Sequence, residues 1–370
     1  MKKLLATALA CTLVLGLAAC GSGNAETTAP AQTEAKTTVA APEESGAESK
    51  GTEAATDVGF PSKNMSGIIS FNPGGATDIM ARIICPEMEK IFGKSVVVEN
   101  KAGASGATAT EFVQGQDPDG HTILFTSEVC NMWQALGIAE IDCLKDLTPL
   151  MVFGGSEGVL VTQPDCPYET YEDLIAYATE HPGEITVASA GLGTNIDAYV
   201  EMMKVVHGVE LNVVVYGSEG DCRTALLGGE VDFTICNNFT ALSYIKDGSF
   251  VCKAIFGDTP IEGYEGVPLL CETYEKFNDF LPWGSYILCF VHKDTDPAVV
   301  AKLEEALTTA YNSEAFQEYL TTNGVLGYGL VGDDAAAYIE NSRAIQWYLY
   351  YDSGIVDLNP ADFGVERPQA

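Results

Sequence analysis

Phe71-Asn72-Pro73-Gly74-Gly75-Ala76-Thr77-Asp78 follows the apolar pair Ile68-Ile69 and precedes Ile79, Ile83, Met88 and Ile91 at helical spacing. The order predicts a strand, a glycine loop and a helix N-terminus. Such a turn leaves backbone N–H groups without partners at the positive end of a helix dipole, an arrangement that suits an anion. A Gly-Gly pair alone is weak, because many strand-to-helix turns need glycine only for its conformational freedom. A second loop of the same type, Ser189-Ala190-Gly191-Leu192-Gly193-Thr194-Asn195, sharpens the reading. Two anion-ready loops in one chain predict a cleft between two lobes.

The N-terminus sets the expected compartment. Lys2 and Lys3 precede an apolar run from Leu4 to Ala19 that is too short to span a bilayer and ends Leu17-Ala18-Ala19-Cys20-Gly21. Small residues before a cysteine predict a lipoprotein signal peptide over 1–20, with Cys20 as the lipidated N-terminus; an ordinary secretory signal is the alternative. Residues 21–58 contain no Leu, Ile or aromatic residue and are rich in Ala, Thr, Glu, Gly and Ser. That composition cannot bury enough apolar surface to offset chain entropy and predicts a disordered tether. The expected location is extracytoplasmic, anchored to the cell membrane through lipid.

The 370 residues hold 52 Asp and Glu against 19 Lys and Arg, a net charge of −33. Nucleic acid is excluded as a partner, since binding it relies on many cationic contacts. So acidic a surface favours solubility and repulsion between neighbours, and a monomer is expected. An anionic ligand would have to be held by N–H dipoles, hydroxyls and water. Setting aside Cys11 and Cys20 leaves nine cysteines, none in a C-x-x-C pair or at metal-ligand spacing to a histidine. Most lie in apolar runs and are expected to pack as small hydrophobes, with one disulfide left open. No metal or cofactor is expected.

From residue 59 onward, strand-like runs (68–71, 95–99, 122–126, 150–153, 159–162, 185–188, 211–216, 233–236, 251–255 and 287–292) alternate with amphipathic stretches. The helical stretches lie at 78–92, 104–114, 170–180, 195–207, 220–228, 240–247, 297–310, 313–322 and 333–349. This alternation predicts an α/β architecture with mostly parallel sheets. Pro86 should bend the first helix, or end its first half, near Cys85. Thr194 or Asn195 is placed to cap the helix from 195.

The motifs, taken in order, resemble the extracytoplasmic receptors of tripartite tricarboxylate transporters, also called Bug or TctC-like receptors. The resemblance rests on Phe71-x-Pro73-Gly74-Gly75-x-x-Asp78-x-x-Ala81-Arg82, Val98-Glu99-Asn100-Lys101-x-Gly103-Ala104-x-Gly106, Pro118-Asp119-Gly120-His121-Thr122 and Asp146-Leu147-Thr148-Pro149. It continues through Ser189-x-Gly191-x-Gly193-Thr194 and Tyr216 to Leu227-x-Gly229-Glu230-Val231-Asp232. It implies a two-lobed periplasmic-binding-protein-like type II fold that clamps a small carboxylate between its lobes and delivers it to membrane permease subunits. It also implies lobe one at 59–163 plus 284–370 and lobe two at 164–283, with crossovers near Thr162-Gln163-Pro164 and Pro282-Trp283-Gly284. Carried over residue by residue, the first jaw is Phe71, Asn72, Gly74, Gly75, Ala76, Thr77 and Asp78. The second is Ser189, Gly191, Gly193, Thr194 and Asn195, with Ser127 and Tyr216 lining the cleft.

The chain departs from the family pattern at Asp197, where many relatives have histidine, at Gly217-Ser218 after Tyr216, and at Ile287, where an aromatic is common. These changes remove a cationic position and add acids, which puts a highly charged tricarboxylate in doubt and suits a dicarboxylate or an amino acid. Asp78 has two readings, ligand contact or a cap of its own helix that pairs with Arg82. His121, His181, His207 and His292 are scattered, with no recognisable nucleophile nearby, so an enzyme is not expected. A ligand sensor with a signalling partner shares the receptor's cleft and remains the alternative; a surface enzyme acting on a small anion is the more distant one.

Overall fold

The structure, a computed structural model, describes residues 59–368. The expected signal peptide, Cys20 and the tether lie outside the described residues. The chain begins with β1 (Met65–Ile69), α1 (Ala76–Phe92), β2 (Val96–Asn100), α2 (Ala107–Gln114), β3 (Thr122–Ser127) and β4 (Leu147–Ser156). It continues with β5 (Gly158–Thr162), α3 (Tyr171–Glu180), β6 (Thr186–Ser189), α4 (Asn195–His207), β7 (Asn212–Val215), α5 (Glu219–Leu227), β8 (Phe233–Asn237), α6 (Asn238–Lys246) and β9 (Val251–Phe256). The last part carries α7 (Leu270–Thr273), β10 (Ser285–His292), α8 (Pro297–Tyr311), α9 (Glu314–Asn323), β11 (Leu326–Val331) and α10 (Gly332–Asp352).

The strands form two sheets, one of six in the order β11-β4-β10-β3-β1-β2 and one of five in the order β7-β6-β8-β5-β9. The expectation of mostly parallel sheets is corrected. Four strand pairs are parallel, and every antiparallel pair contains β5, β10 or β11. Each of these three strands begins where β3, β4, β8 and β9 end, at the edge where the two sheets meet. Strands that arrive from that edge must run opposite to those that leave towards it.

The crossover also shifts. Ser156 ends a strand of the first sheet and Gly158 starts one of the second, so the chain changes sheets at Glu157, before the expected Thr162-Gln163-Pro164. Residues 158–162 read as one more apolar run, and only their pairing with β8 and β9 assigns them to the second sheet. The return, between β9 and β10, brackets the expected site at Pro282-Trp283-Gly284.

Side chains of the first sheet alternate between two cores with period two. Ile69, Ile123, Phe125 and Cys289 face α1, α8 and α9, whereas Ile68, Leu124, Leu288 and Phe290 face the side of α2 and the start of α10. The second sheet is covered by its own cluster, which also takes Ala344, Ile345, Trp347, Leu349 and Tyr350 of α10. The end of the chain therefore contributes to the cores of both sheets. At 21 residues α10 is about 32 Å long. Its first turns pack on the six-stranded sheet and its later turns in the other core, which is why residues 342–350 are buried all round. Arg343 seats it through a buried ion pair, donating from Nη1 to Asp142 Oδ1 at 2.8 Å.

Helix α1 runs unbroken from Ala76 to Phe92 with Pro86 inside, so Pro86 does not end its first half at Cys85. The strand at 326–331 went unforeseen because Gly327 and Gly329 dilute its apolar pattern. All nine cysteines from Cys85 to Cys289 are free thiols, seven of them buried, as expected of small hydrophobes. No described helix is long and apolar enough to cross a membrane.

Candidate functional site

Where the strand ends of the two sheets meet, a cavity of about 210 Å³ opens. This lies below the roughly 300–1,000 Å³ of sites for drug-sized ligands, so it suits a small molecule. From the six-stranded side it is lined by Phe71 after β1, by Ala76, Thr77 and Met80 of α1, by Ser127 of β3, and by Gly155 and Ser156 of β4. Ser285 and Ile287 of β10 and Val325 before β11 complete that wall; Asn237 and Phe239 close it from the second sheet. Among the described residues, no charged side chain lines it.

One side of the cavity is a helix start. Gly75 caps α1 in an extended conformation, after Gly74 in the left-handed region at φ 87°. Ala76 and Thr77 are then the first residues of the helix, whose N–H groups have no carbonyl one turn back to bind. Asp78 shapes this loop. Its Oδ2 accepts from Gly74 N–H at 2.9 Å and its Oδ1 from Arg82 Nε at 2.9 Å and Asn100 Nδ2 at 2.8 Å. Arg82, helped by Gly74 and Asn100, holds the carboxyl at about 2 against its burial. Asp78 is buried and does not line the cavity; its carboxyl braces the Gly74 turn that precedes the cap residue Gly75. Asn72, Gly74 and Gly75 are exposed at the loop's rim.

The opposite side is built of serines held from behind. Glu128, the residue after β3, is buried, and its Oε2 accepts from Tyr286 N–H at 3.2 Å and from Ser285 Oγ at 3.1 Å. Burial pushes this carboxyl up to about 7 against those donors and the Ser127 hydroxyl. Ser156 Oγ donates to Asn237 Oδ1 at 2.8 Å, a bond that joins the two sheets. Asn237 Nδ2 donates in turn to Glu219 Oε2 at 3.0 Å, and Glu219 is paired with Arg223 at 2.6 Å. A second link between the two halves runs from Asn238 Nδ2 to the Gly324 carbonyl at 2.6 Å. At the crossover itself the Glu157 carboxyl is buried, and burial together with the Asp258 charge pushes it up to about 8.

Of the residues expected from sequence, the structure brings Phe71, Ala76, Thr77 and Ser127 to the cavity. It does not bring Ser189, Gly191, Gly193, Thr194, Asn195 or Tyr216 there. Ser189 Oγ accepts from Gly191 N–H at 3.2 Å, Gly193 N–H is turned to Asp197 Oδ2 at 3.3 Å, and Tyr216 OH donates to Glu230 at 3.2 Å. Asp197 also accepts from Tyr350 OH of α10 at 2.8 Å, which ties the loop to that helix. Sequence reasoning missed Met80, Gly155, Ser156, Asn237, Phe239, Ser285 and Val325. Ser156 and Asn237 carried one legible signal, a polar residue at the end of an apolar run; for Gly155 and Val325 there was none.

A family model described as "Tripartite tricarboxylate transporter family receptor" matches residues 80–347. The chain is 29% identical over 284 residues to "Protein BugT" of Bordetella pertussis, covering 76% of this chain and 86% of that one. Among solved structures it is similar to R. palustris Rpa4515 with adipate (TM-score 0.67, 22% identity, 80% of this chain and 98% of that one). It is also similar to MatC from Rhodopseudomonas palustris with bound malate (TM-score 0.65, 23% identity, 78% of this chain and 99% of that one). These likenesses show the two-lobed fold.

Proposed function

The chain belongs to the tripartite tricarboxylate transporter receptor family, and on that premise we propose that it captures a small carboxylate in the cavity between its two sheets and presents it to the family's membrane partner. The observation that carries the reading is the start of α1 at that cavity, with Ala76 and Thr77, the first two residues of the helix, among those that line it. A carboxylate docked there would meet a helix N-terminus in place of a basic side chain. The relatives that hold malate and adipate support the ligand class.

In this reading the protein is a receptor without catalytic residues or cofactor, monomeric and extracytoplasmic, held to the membrane through a lipid on Cys20. We take lobe one as about 59–156 with 285–343 and lobe two as about 158–284, a division that sheet membership and the second core support, with the end of α10 docked on lobe two. The links Ser156–Asn237 and Asn238–Gly324 join the halves, and a rotation that parts them would turn about the connections at Glu157, near Trp283-Gly284 and within α10, which packs in both cores. The second loop, Ser189 to Asn195 with Tyr216, would reach ligand only through such a movement.

A thermal-shift series on the purified protein tests the proposal. Ligand that binds only the folded state at a hundred times its dissociation constant adds about 2.7 kcal/mol of stability. Succinate, glutarate, malate and amino acids should include compounds that raise the melting temperature, and Ala76→Phe, which fills the cavity, should abolish the rise. No shift with any carboxylate would sink the proposal.

A further inference from the structure

The two loop connections between the sheets each bury a polar atom without a partner. At the first, Glu157 is 8% exposed and its Oε2 is bonded to nothing among the described residues. At the second, Trp283 is 2% exposed and its Nε1 donor is likewise unpaired. Both places are tightly packed. A Cβ on Gly257, just after β9, would come within 2.9 Å of Glu157 Cδ and Oε2, and one on Gly284 within 2.5 Å of the Ser156 carbonyl oxygen. The backbone at the first connection is satisfied: the Glu157 carbonyl accepts from Asn238 N–H at 3.0 Å, and Gly158 N–H donates to Tyr199 OH at 2.9 Å. What remains is a buried carboxyl, which is costly in its charged form when nothing pairs with it.

The groups around Glu157 add to that cost. Asp258, also after β9, is a second acid. Tyr199 of α4, Cys271 of α7, Tyr328 of β11 and Tyr338 of α10 are all pushed up in part by the Glu157 charge, so they face it from both halves of the molecule. None of these is a cation. Burial and Asp258 push the carboxyl up to about 8, so it is neutral in this arrangement at neutral pH.

We propose that Glu157 is a proton-operated latch at the crossover: with its proton the carboxyl lets the halves stay joined, and release of that proton to water favours their parting. This rests on the hinge movement proposed above and needs no ligand. Parting exposes the carboxyl and returns it towards its ordinary value of 4.5. Support for the joined arrangement is therefore complete below about 4.5, declines as pH rises and is lost above about 8. In between, one proton released per opening raises the open population about tenfold per pH unit. Glu128, the other acid pushed up into this range, has its partners Ser285 and Tyr286 on β10, the neighbour of its own strand β3. Parting of the halves leaves those bonds in place.

Hydrogen exchange of the indole N–H groups, followed by NMR on the full chain without ligand, tests the latch. Trp283 Nε1 reports on the second connection. Trp133 and Trp347 donate to the Ser105 and Leu358 carbonyls at 2.9 and 3.1 Å and serve as references. Corrected for the intrinsic pH dependence of exchange, the protection of Trp283 should fall about tenfold per pH unit between about pH 5.5 and 7.5 and level off above about 8, while the references stay flat. In Glu157→Gln the Trp283 profile should be flat as well. Asp258→Asn removes a charge that helps to raise Glu157, so it should shrink the total fall and end it at lower pH; this variant also decides the matter if the glutamine variant does not fold. A flat Trp283 profile in the unaltered chain, the same fall in Glu157→Gln, or an Asp258→Asn profile identical to that of the unaltered chain overturns the latch. Each of these results leaves the carboxylate reading to the thermal-shift series.

Discussion

At the start of α1, Asp78 accepts a hydrogen bond from Gly74 N–H; at the start of α4, Asp197 accepts one from Gly193 N–H, four residues back in both cases. The backbones match as well. Gly74 and Gly193 sit at φ 87° and 83°, and the caps that follow, Gly75 and Thr194, are extended at φ −79° and −81°. The two loops are one local design, and their surroundings differ. Asp78 is backed by Arg82 and Asn100, which hold its charge. Asp197 has Tyr350 behind it, and burial raises its carboxyl above the ordinary value despite that hydroxyl and Gly193. The first loop opens on the cavity and the second is tied to α10. A shared turn thus identifies a local fold, and the tertiary surroundings decide whether it opens on the cavity.

The largest expected effect comes from unseating the helix that restrains the second loop. Arg343→Ala leaves Asp142 without its buried partner and loosens the element that carries Tyr350. Denaturant unfolding should show a loss of about 3–5 kcal/mol. A loss under 1 kcal/mol would mean that Lys145, which also pairs with Asp142, suffices.

Next is the carboxylate that braces the first loop. Asp78→Ala leaves Gly74 N–H and Arg82 without their acceptor and should cost about 1.5–3 kcal/mol. It should also weaken binding of any ligand found in the thermal-shift series, whereas Asp197→Ala should leave that binding nearly unchanged. Equal losses of affinity in both variants would break the proposed division of labour.

The two carboxylates should also respond to pH with opposite sign. Asp78 is depressed in the folded state, so its contribution is present above the unfolded value of about 3.9 and is lost as pH falls towards about 2. Asp197 is raised, so its contribution is fully present below about 3.9 and is lost as pH rises through its folded value. Melting curves between pH 2 and 7 should show Asp78→Asn flattening the acid limb and Asp197→Asn flattening the opposing trend above it. The same sign for both variants would contradict the contrast. The smallest effect is that of Tyr350→Phe, about 0.5–1.5 kcal/mol for one hydrogen bond.

Much of this was legible before any coordinates. Alternating runs located ten of the eleven strands, because burial on a sheet face imposes period two on the side chains. The loop at 71–78 contributes Phe71, Ala76 and Thr77 to the cavity wall, and the end of the third strand contributes Ser127. The direction of β5, β10 and β11 was not legible, since an apolar run reads the same whichever way it pairs. Nor was the role of Ser285, which became a wall of the cavity only by lying opposite Ser156 in the register of β10 and β4. Glu128 and Glu157 had no signal, because a glutamate at a strand end looks exposed until another element covers it.

The sequence by itself determined what neighbours along the chain can settle: strand or helix period, glycine turns, caps and a net charge too negative for nucleic acid. Family membership came from the order of those same local motifs. Only the tertiary structure decided that the chain changes sheets at Glu157, that α10 joins both cores, and that the first loop faces the cavity while its twin is tied down. Those outcomes depend on which distant residues come within hydrogen-bonding distance, Asp197 with Tyr350 or Ser156 with Asn237, and no spacing along the chain encodes such a meeting.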